Sequence, residues 1–116
     1  MENESKRQRM VARQIQRDLA EIIRGKGMAA FDGAMVTVSG VKMSPDLTLA
    51  KVYVSIFPSD KSRKVMDILS YQNRGLRGEL GNLVAKQLRV VPELAFFIDD
   101  SLDYVEHIDE LLNNKE

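Results

Sequence analysis

Two adjacent valine-rich runs do most to limit how this chain can fold. Met35–Met43 and Leu49–Phe57 flank the short segment Ser44-Pro45-Asp46-Leu47-Thr48. In the second run Ala50, Val52, Val54 and Ile56 alternate with Lys51, Tyr53 and Ser55, the period-two pattern of a strand with one face buried. In the first, Val36 and Val38 share a face, but the parity breaks at Gly40 and resumes with Val41 and Met43. A glycine at a phase change predicts a β-bulge. Proline fixes one dihedral of the linking segment, and Asp46 can accept bonds from nearby amides, so the two runs read as a β-hairpin.

Around this hairpin the apolar period becomes helical. From about Glu4 to Arg24, Val11, Ala12, Ile15, Leu19, Ile22 and Ile23 recur mostly at three- and four-residue intervals, and Gly25 and Gly27 end the segment. Pro58-Ser59-Asp60 closes the second strand and opens a helix from Lys61 to about Gln72 on Val65, Ile68 and Leu69. Asn73-Arg74-Gly75 is expected to interrupt it, with a further helix from Leu76 to Leu88. After Pro92, Leu94, Phe96 and Ile98 alternate as a third strand. Ser101 is placed to cap a last helix on Val105, Ile108, Leu111 and Leu112, with Asp103 near its positive end. The expected class is α+β in the order α-β-β-α-α-β-α. At 116 residues this is one domain over 1–116, with a core at about 5–112, able to fold without covalent staples.

The formal net charge of zero conceals an uneven distribution. Residues 1–98 carry 16 Lys+Arg against 10 Asp+Glu, whereas 99–116 carry 1 against 7, so the two parts stand at +6 and −6. Such asymmetry points to a polyanion as partner of the basic part. The acidic end reads as an amphipathic helix packing Val105, Ile108 and Leu112 on the domain, or alternatively as a contact for a basic protein, or as a shield over the cations until a polyanion displaces it. With no cysteine and only His107, thiolate metal sites, disulfides and histidine clusters are excluded, and no cofactor is expected. No apolar run approaches the roughly 20 residues that span a bilayer. Met1-Glu2-Asn3-Glu4 lacks the order of a signal peptide, so no membrane partner and a cytoplasmic location are expected.

Two cation clusters stand out. At about 100° per residue, Lys6, Arg9, Arg13, Arg17 and Arg24 fall within an arc of roughly 80° on the first helix, away from its main apolar stripe. Such a row suits phosphates, although solvated helix faces are commonly charged as well. The second cluster, Arg74, Arg77, Lys86 and Arg89, surrounds the expected helix break, preceded by Lys61, Arg63 and Lys64. Gly75-Leu76-Arg77-Gly78 and Gly78-Glu79-Leu80-Gly81 both satisfy G-x-x-G, the loop by which KH domains approach a nucleic-acid backbone. Gly75, at the break, is the functional candidate, and Gly78 and Gly81 suit close packing. Asp99-Asp100 and His107 lack the partners that acid-base or nucleophilic catalysis needs, so no catalytic residue and no enzyme are expected. Tyr53, Tyr71, Phe57, Phe96 and Phe97 could stack bases, yet most suit core or edge positions.

With these residues assembled, the chain resembles the ribosome-binding factor A family. The resemblance rests on Met43-Ser44-Pro45-Asp46-Leu47 running into Ala50-Lys51-Val52-Tyr53-Val54-Ser55, and on Val91-Pro92-Glu93-Leu94-Ala95-Phe96-Phe97-Ile98-Asp99 leading to Ser101. The basic first helix and Leu76-Arg77-Gly78-Glu79-Leu80 support it. It implies a KH-like (type II) fold in which a helix-kink-helix with an Ala-x-Gly signature replaces the G-x-x-G loop. Asn73-Arg74-Gly75 is the nearest equivalent, with asparagine in the alanine's place. Arg77 and Gly75 are the kink-region assignments that carry over. The implied function is non-catalytic: binding the immature 30S subunit and its 16S rRNA, assisting late maturation and 5′-end processing, and supporting growth in the cold. Small-subunit ribosomal proteins and other assembly factors are the implied further partners of a monomer. A protein-docking module with incidental cations, and a general RNA chaperone, are the competing readings.

Overall fold

The computed structural model describes residues 4–99. Helix α1, Lys6–Lys26, starts with a reciprocal cap: Gln8 N donates to Ser5 Oγ at 3.0 Å, and Ser5 N donates to Gln8 Oε1 at 2.7 Å. A cap of this kind is worth about 1 kcal/mol. The same Gln8 is buried and donates from Nε2 to Met43 O at 3.1 Å, tying the start of α1 to the end of the first strand. The helix runs through Gly25 and stops at Gly27, whose φ of 82° suits glycine, with its N–H on Arg24 O. Arg24 and Lys26 in the last turn complement the helix dipole.

Strands β1, Met35–Met43, and β2, Leu49–Phe57, pair antiparallel. The register slips between Val38 and Gly40, as the broken parity predicts. Ser39 is the extra residue, and its Oγ donates to Tyr53 O at 3.1 Å. The slip keeps Val38 and Met43 buried on one face although an even number of residues lies between them. In the connecting turn Asp46 Oδ1 accepts from Ser44 Oγ at 2.7 Å, Thr48 Oγ1 at 2.7 Å and Thr48 N at 3.2 Å. These donors, Ser44 first, hold the Asp46 carboxyl below the usual carboxylate value although it lies in solvent.

Strand β3, Glu93–Ile98, pairs parallel with β2, giving a sheet of order β1-β2-β3. The crossover between β2 and β3 is helix α2, Ser62–Val84. The expected interruption at Asn73-Arg74-Gly75 is absent: α2 is one helix of 23 residues, so the two helices expected on either side of it are corrected to a single one. Leu76 and Leu80 are fully buried and follow Val65 and Leu69 on one stripe, so packing outweighs the roughly 1 kcal/mol that a helix-interior glycine costs. Asn73 does not compete for its own helix backbone, because its Nδ2 donates to Leu94 O on β3 at 2.9 Å. The helix ends at Val84 rather than Leu88, and one further turn follows, with Gln87 N and Leu88 N both donating to Val84 O.

Contacts place α1 on β1 and α2 on β3, both on one side of the sheet. Ile15 and Leu19 from α1, Val52 and Val54 from β2, and Leu69, Leu76 and Leu80 from α2 fill the space between, each fully buried. Burying each such side chain contributes about 1.5–3 kcal/mol. The last helix expected from Ser101 onward, with Asp100 and His107, lies outside the described residues.

Candidate nucleic-acid interface

The burial of Ile15 and Leu19 fixes how α1 is turned about its axis. Lys6, Arg9, Arg13, Arg17 and Arg24 then all stand exposed on the side away from the core. Arg9 Nη1 donates to Glu4 O at 2.8 Å, and Arg24 pairs with Glu21 one turn back. Among the described residues Lys6, Arg13 and Arg17 take no hydrogen bond or ion pair. One flank of the row is turned toward the edge strand β1: Gln16 Nε2 donates to Val38 O at 3.4 Å. Arg17 and Arg24 line a shallow groove there with Val36 and Thr37.

The second cluster is built differently. Arg77 lies one turn beyond Asn73 on the side of α2 that faces β3. Its Nε donates to Pro92 O at 3.1 Å and its Nη2 to Val91 O at 2.7 Å. The guanidinium therefore clamps the loop that leads into β3. Arg74, Arg77, Gly78 and Gly81 border one hollow against Val91. A Cβ on Gly81 would stand 3.1 Å from Val91 Cγ2, so that glycine permits close packing, as its sequence context suggests. Gly75 and Gly78 face open space instead. Gly75 is an exposed position inside a regular helix and does not sit at a break. Arg74, Lys86 and Arg89 are exposed, the last two in the loop after α2.

The two clusters thus occupy opposite flanks of the helical layer, one toward β1 and one toward β3. Between them, Lys26 on α1 pairs with Glu79 on α2 at 3.0 Å, and Lys6, Arg7, Met10 and Gln14 line a groove with Gln87 and Leu88. Arg7 is an exposed cation there that the row on α1 leaves out, because it lies about 100° from Lys6 around the helix. Among the described residues no group of His, Asp or Glu could hold a metal ion, and no helix is long and apolar enough to cross a membrane.

Fold and charge together define a class, a small α+β domain whose two helices back a three-stranded sheet and carry cations on both flanks. The sequence profile of the family described as ribosome-binding factor A matches residues 7–112. A ribosome-binding factor A of Flavobacterium johnsoniae is 40% identical over 114 residues, 97% of this chain and 88% of its own. That of Cytophaga hutchinsonii is 36% identical over 110 residues, 95% of this chain and 83% of its own. The crystal structure of ribosome-binding factor A from Thermus thermophilus superposes with a TM-score of 0.66 at 27% identity, covering 78% of this chain and 94% of that one. A homology model of the Thermus thermophilus protein, fitted into a cryo-EM map of its 30S complex, gives 0.62 at 28% identity, with 76% and 90% covered. The chain belongs to the ribosome-binding factor A family.

Proposed function

We infer that this protein is a non-catalytic assembly factor, acting as a single RNA-binding domain, that binds the immature 30S subunit through its 16S rRNA. It assists late maturation, including processing of the 5′ end, and its contribution is greatest in the cold. The observation that carries the reading is the row of exposed cations on α1, with Arg13 and Arg17 held free of any partner among the described residues. Arginine in that state can give both arms of its fork to phosphate oxygens. A member of the same family fitted into a map of a 30S complex supports the choice of polyanion.

In this reading Lys6, Arg9, Arg13, Arg17 and Arg24 grip phosphates along one strand, and Arg74, Lys86 and Arg89 meet RNA at the other flank. Gly75 leaves bare helix surface beside Arg74 where a backbone can come close. Arg77 acts mainly by holding the loop at Val91 and Pro92, with its remaining N–H groups available to RNA. Shape, rather than base sequence, sets the helix-face site. Cosedimentation with immature and mature 30S subunits tests the proposal. Preferential pelleting with immature subunits, and crosslinks from α1 to 16S rRNA, are expected. Equal binding to unrelated RNA would replace the proposal with a general chaperone, and binding insensitive to salt would replace it with a protein-docking module.

A further inference from the structure

The side of the sheet away from the helices carries a feature that the helix-face reading does not use. The strand register sets Gly40, Tyr53 and Phe97 side by side across all three strands. The Tyr53 and Phe97 rings stack, with centroids 5.6 Å apart and planes 30° from parallel. On the other side of Tyr53 the row is empty: a Cβ built on Gly40 meets nothing within 4 Å. Gly40 is not among the positive-φ glycines, so its backbone does not demand glycine, and what the position supplies is space. One pair along the hairpin, about 7 Å away on the same face, Lys42 stands opposite Lys51.

We propose that this face is a second RNA contact, in which an unpaired base enters the slot over Gly40 and stacks on Tyr53 while Lys42 and Lys51 meet its phosphates. It rests on the RNA-binding reading above and adds a preference for single strands at a site separate from the helices. Aromatic faces accept any base, and ammonium groups accept phosphate without reading sequence. The occupant is RNA rather than an acidic peptide because the open side of the Tyr53 ring, with only space over Gly40, offers a base a face to stack on, which an acidic side chain cannot use. The carboxylates at the margins of this face, Glu93 at the start of β3 and Asp99 just past its end, direct the phosphates along the β1–β2 side. A duplex cannot use the slot, since its bases are already stacked and paired.

The test uses the full chain and a labelled mixed-sequence RNA 12-mer, single-stranded or annealed to its complement, read by fluorescence anisotropy. Gly40→Val fills open space, and Tyr53→Leu removes the ring while keeping bulk, so the two variants fail to fold for different reasons if they fail at all. Each is expected to weaken single-strand binding about tenfold, the loss of one stacked base, with duplex binding and the salt slope unchanged. Arg13→Gln is expected to weaken both RNAs and to lower the slope. Single-strand affinity within twofold of the parent in both sheet variants overturns the proposal and leaves the helix-face reading standing. Loss in the sheet variants with no effect of Arg13→Gln does the reverse. Unchanged RNA affinity accompanied by altered self-association, or by new protease sensitivity of residues 100–116, assigns the face to a second copy or to the chain's own end and also overturns it.

Discussion

Helix α1 carries five arginines and α2 three, and Arg13 and Arg17 on the first serve an opposite end from Arg77 on the second. On α1, Arg13 and Arg17 take no hydrogen bond or ion pair among the described residues, and the helix is anchored by its cap, by Gln8 on Met43 O and by an apolar stripe. On α2, Arg77 and Asn73 reach across to backbone carbonyls of Val91, Pro92 and Leu94, and so fasten β3 and its loop to the helix. A cation's place in a cluster therefore does not define its task; what its donors already hold does. An arginine bound to two carbonyls is part of the scaffold, and one free in solvent is available to a ligand.

The contrast can be broken at several points. The largest effect is expected from Leu76→Ala, which removes a fully buried side chain beside Gly75. Urea unfolding should show a loss of about 2–5 kcal/mol, and a loss well under 1 kcal/mol would mean that α2 is not held by this stripe. Next, Arg77→Ala should cost about 1–2 kcal/mol through its two carbonyl bonds, while Arg13→Ala stays within about 0.5 kcal/mol of the parent. Equal stability of the two variants would erase the distinction between the helices. Gly75→Ala sharpens it further. In an uninterrupted helix with open space at that position, alanine should stabilise by about 0.5–1 kcal/mol, whereas a true break there would make it destabilising.

The smallest effect lies in the hairpin turn. The folded carboxyl of Asp46 titrates below its unfolded value of about 3.9, so its contribution is complete above that pH and is lost as pH falls through the folded value. Asp46→Asn should therefore be less stable than the parent near neutrality, and the two should converge in acid. Parallel stability curves down to about pH 2 would deny the turn its part.

Most of the architecture is legible because it is local. Alternation of Ala50, Val52, Val54 and Ile56 specifies β2, the parity change at Gly40 specifies the bulge, and Asp46 specifies the turn. The α1 row is equally legible, since helix geometry alone groups those five cations. What escapes is set by distant partners. Asn73-Arg74-Gly75 reads as a break because the acceptor for Asn73 lies 21 residues on, in β3. Arg77 reads as a ligand-binding group because its acceptors lie 14 and 15 residues on, in a loop whose position depends on the fold. The slot beside Tyr53 is invisible until the register of three strands is known.

In the proposed function the partner-free arginines of α1 hold phosphates of the small subunit's RNA. The measurement that bears on it most directly is the slope of log affinity against log salt for 30S binding by the Arg13→Gln, Arg17→Gln double variant. Loss of two phosphate contacts predicts weaker binding and a slope shallower by roughly two units, about 0.7–0.9 for each. A double variant that binds with the parent's slope would contradict it.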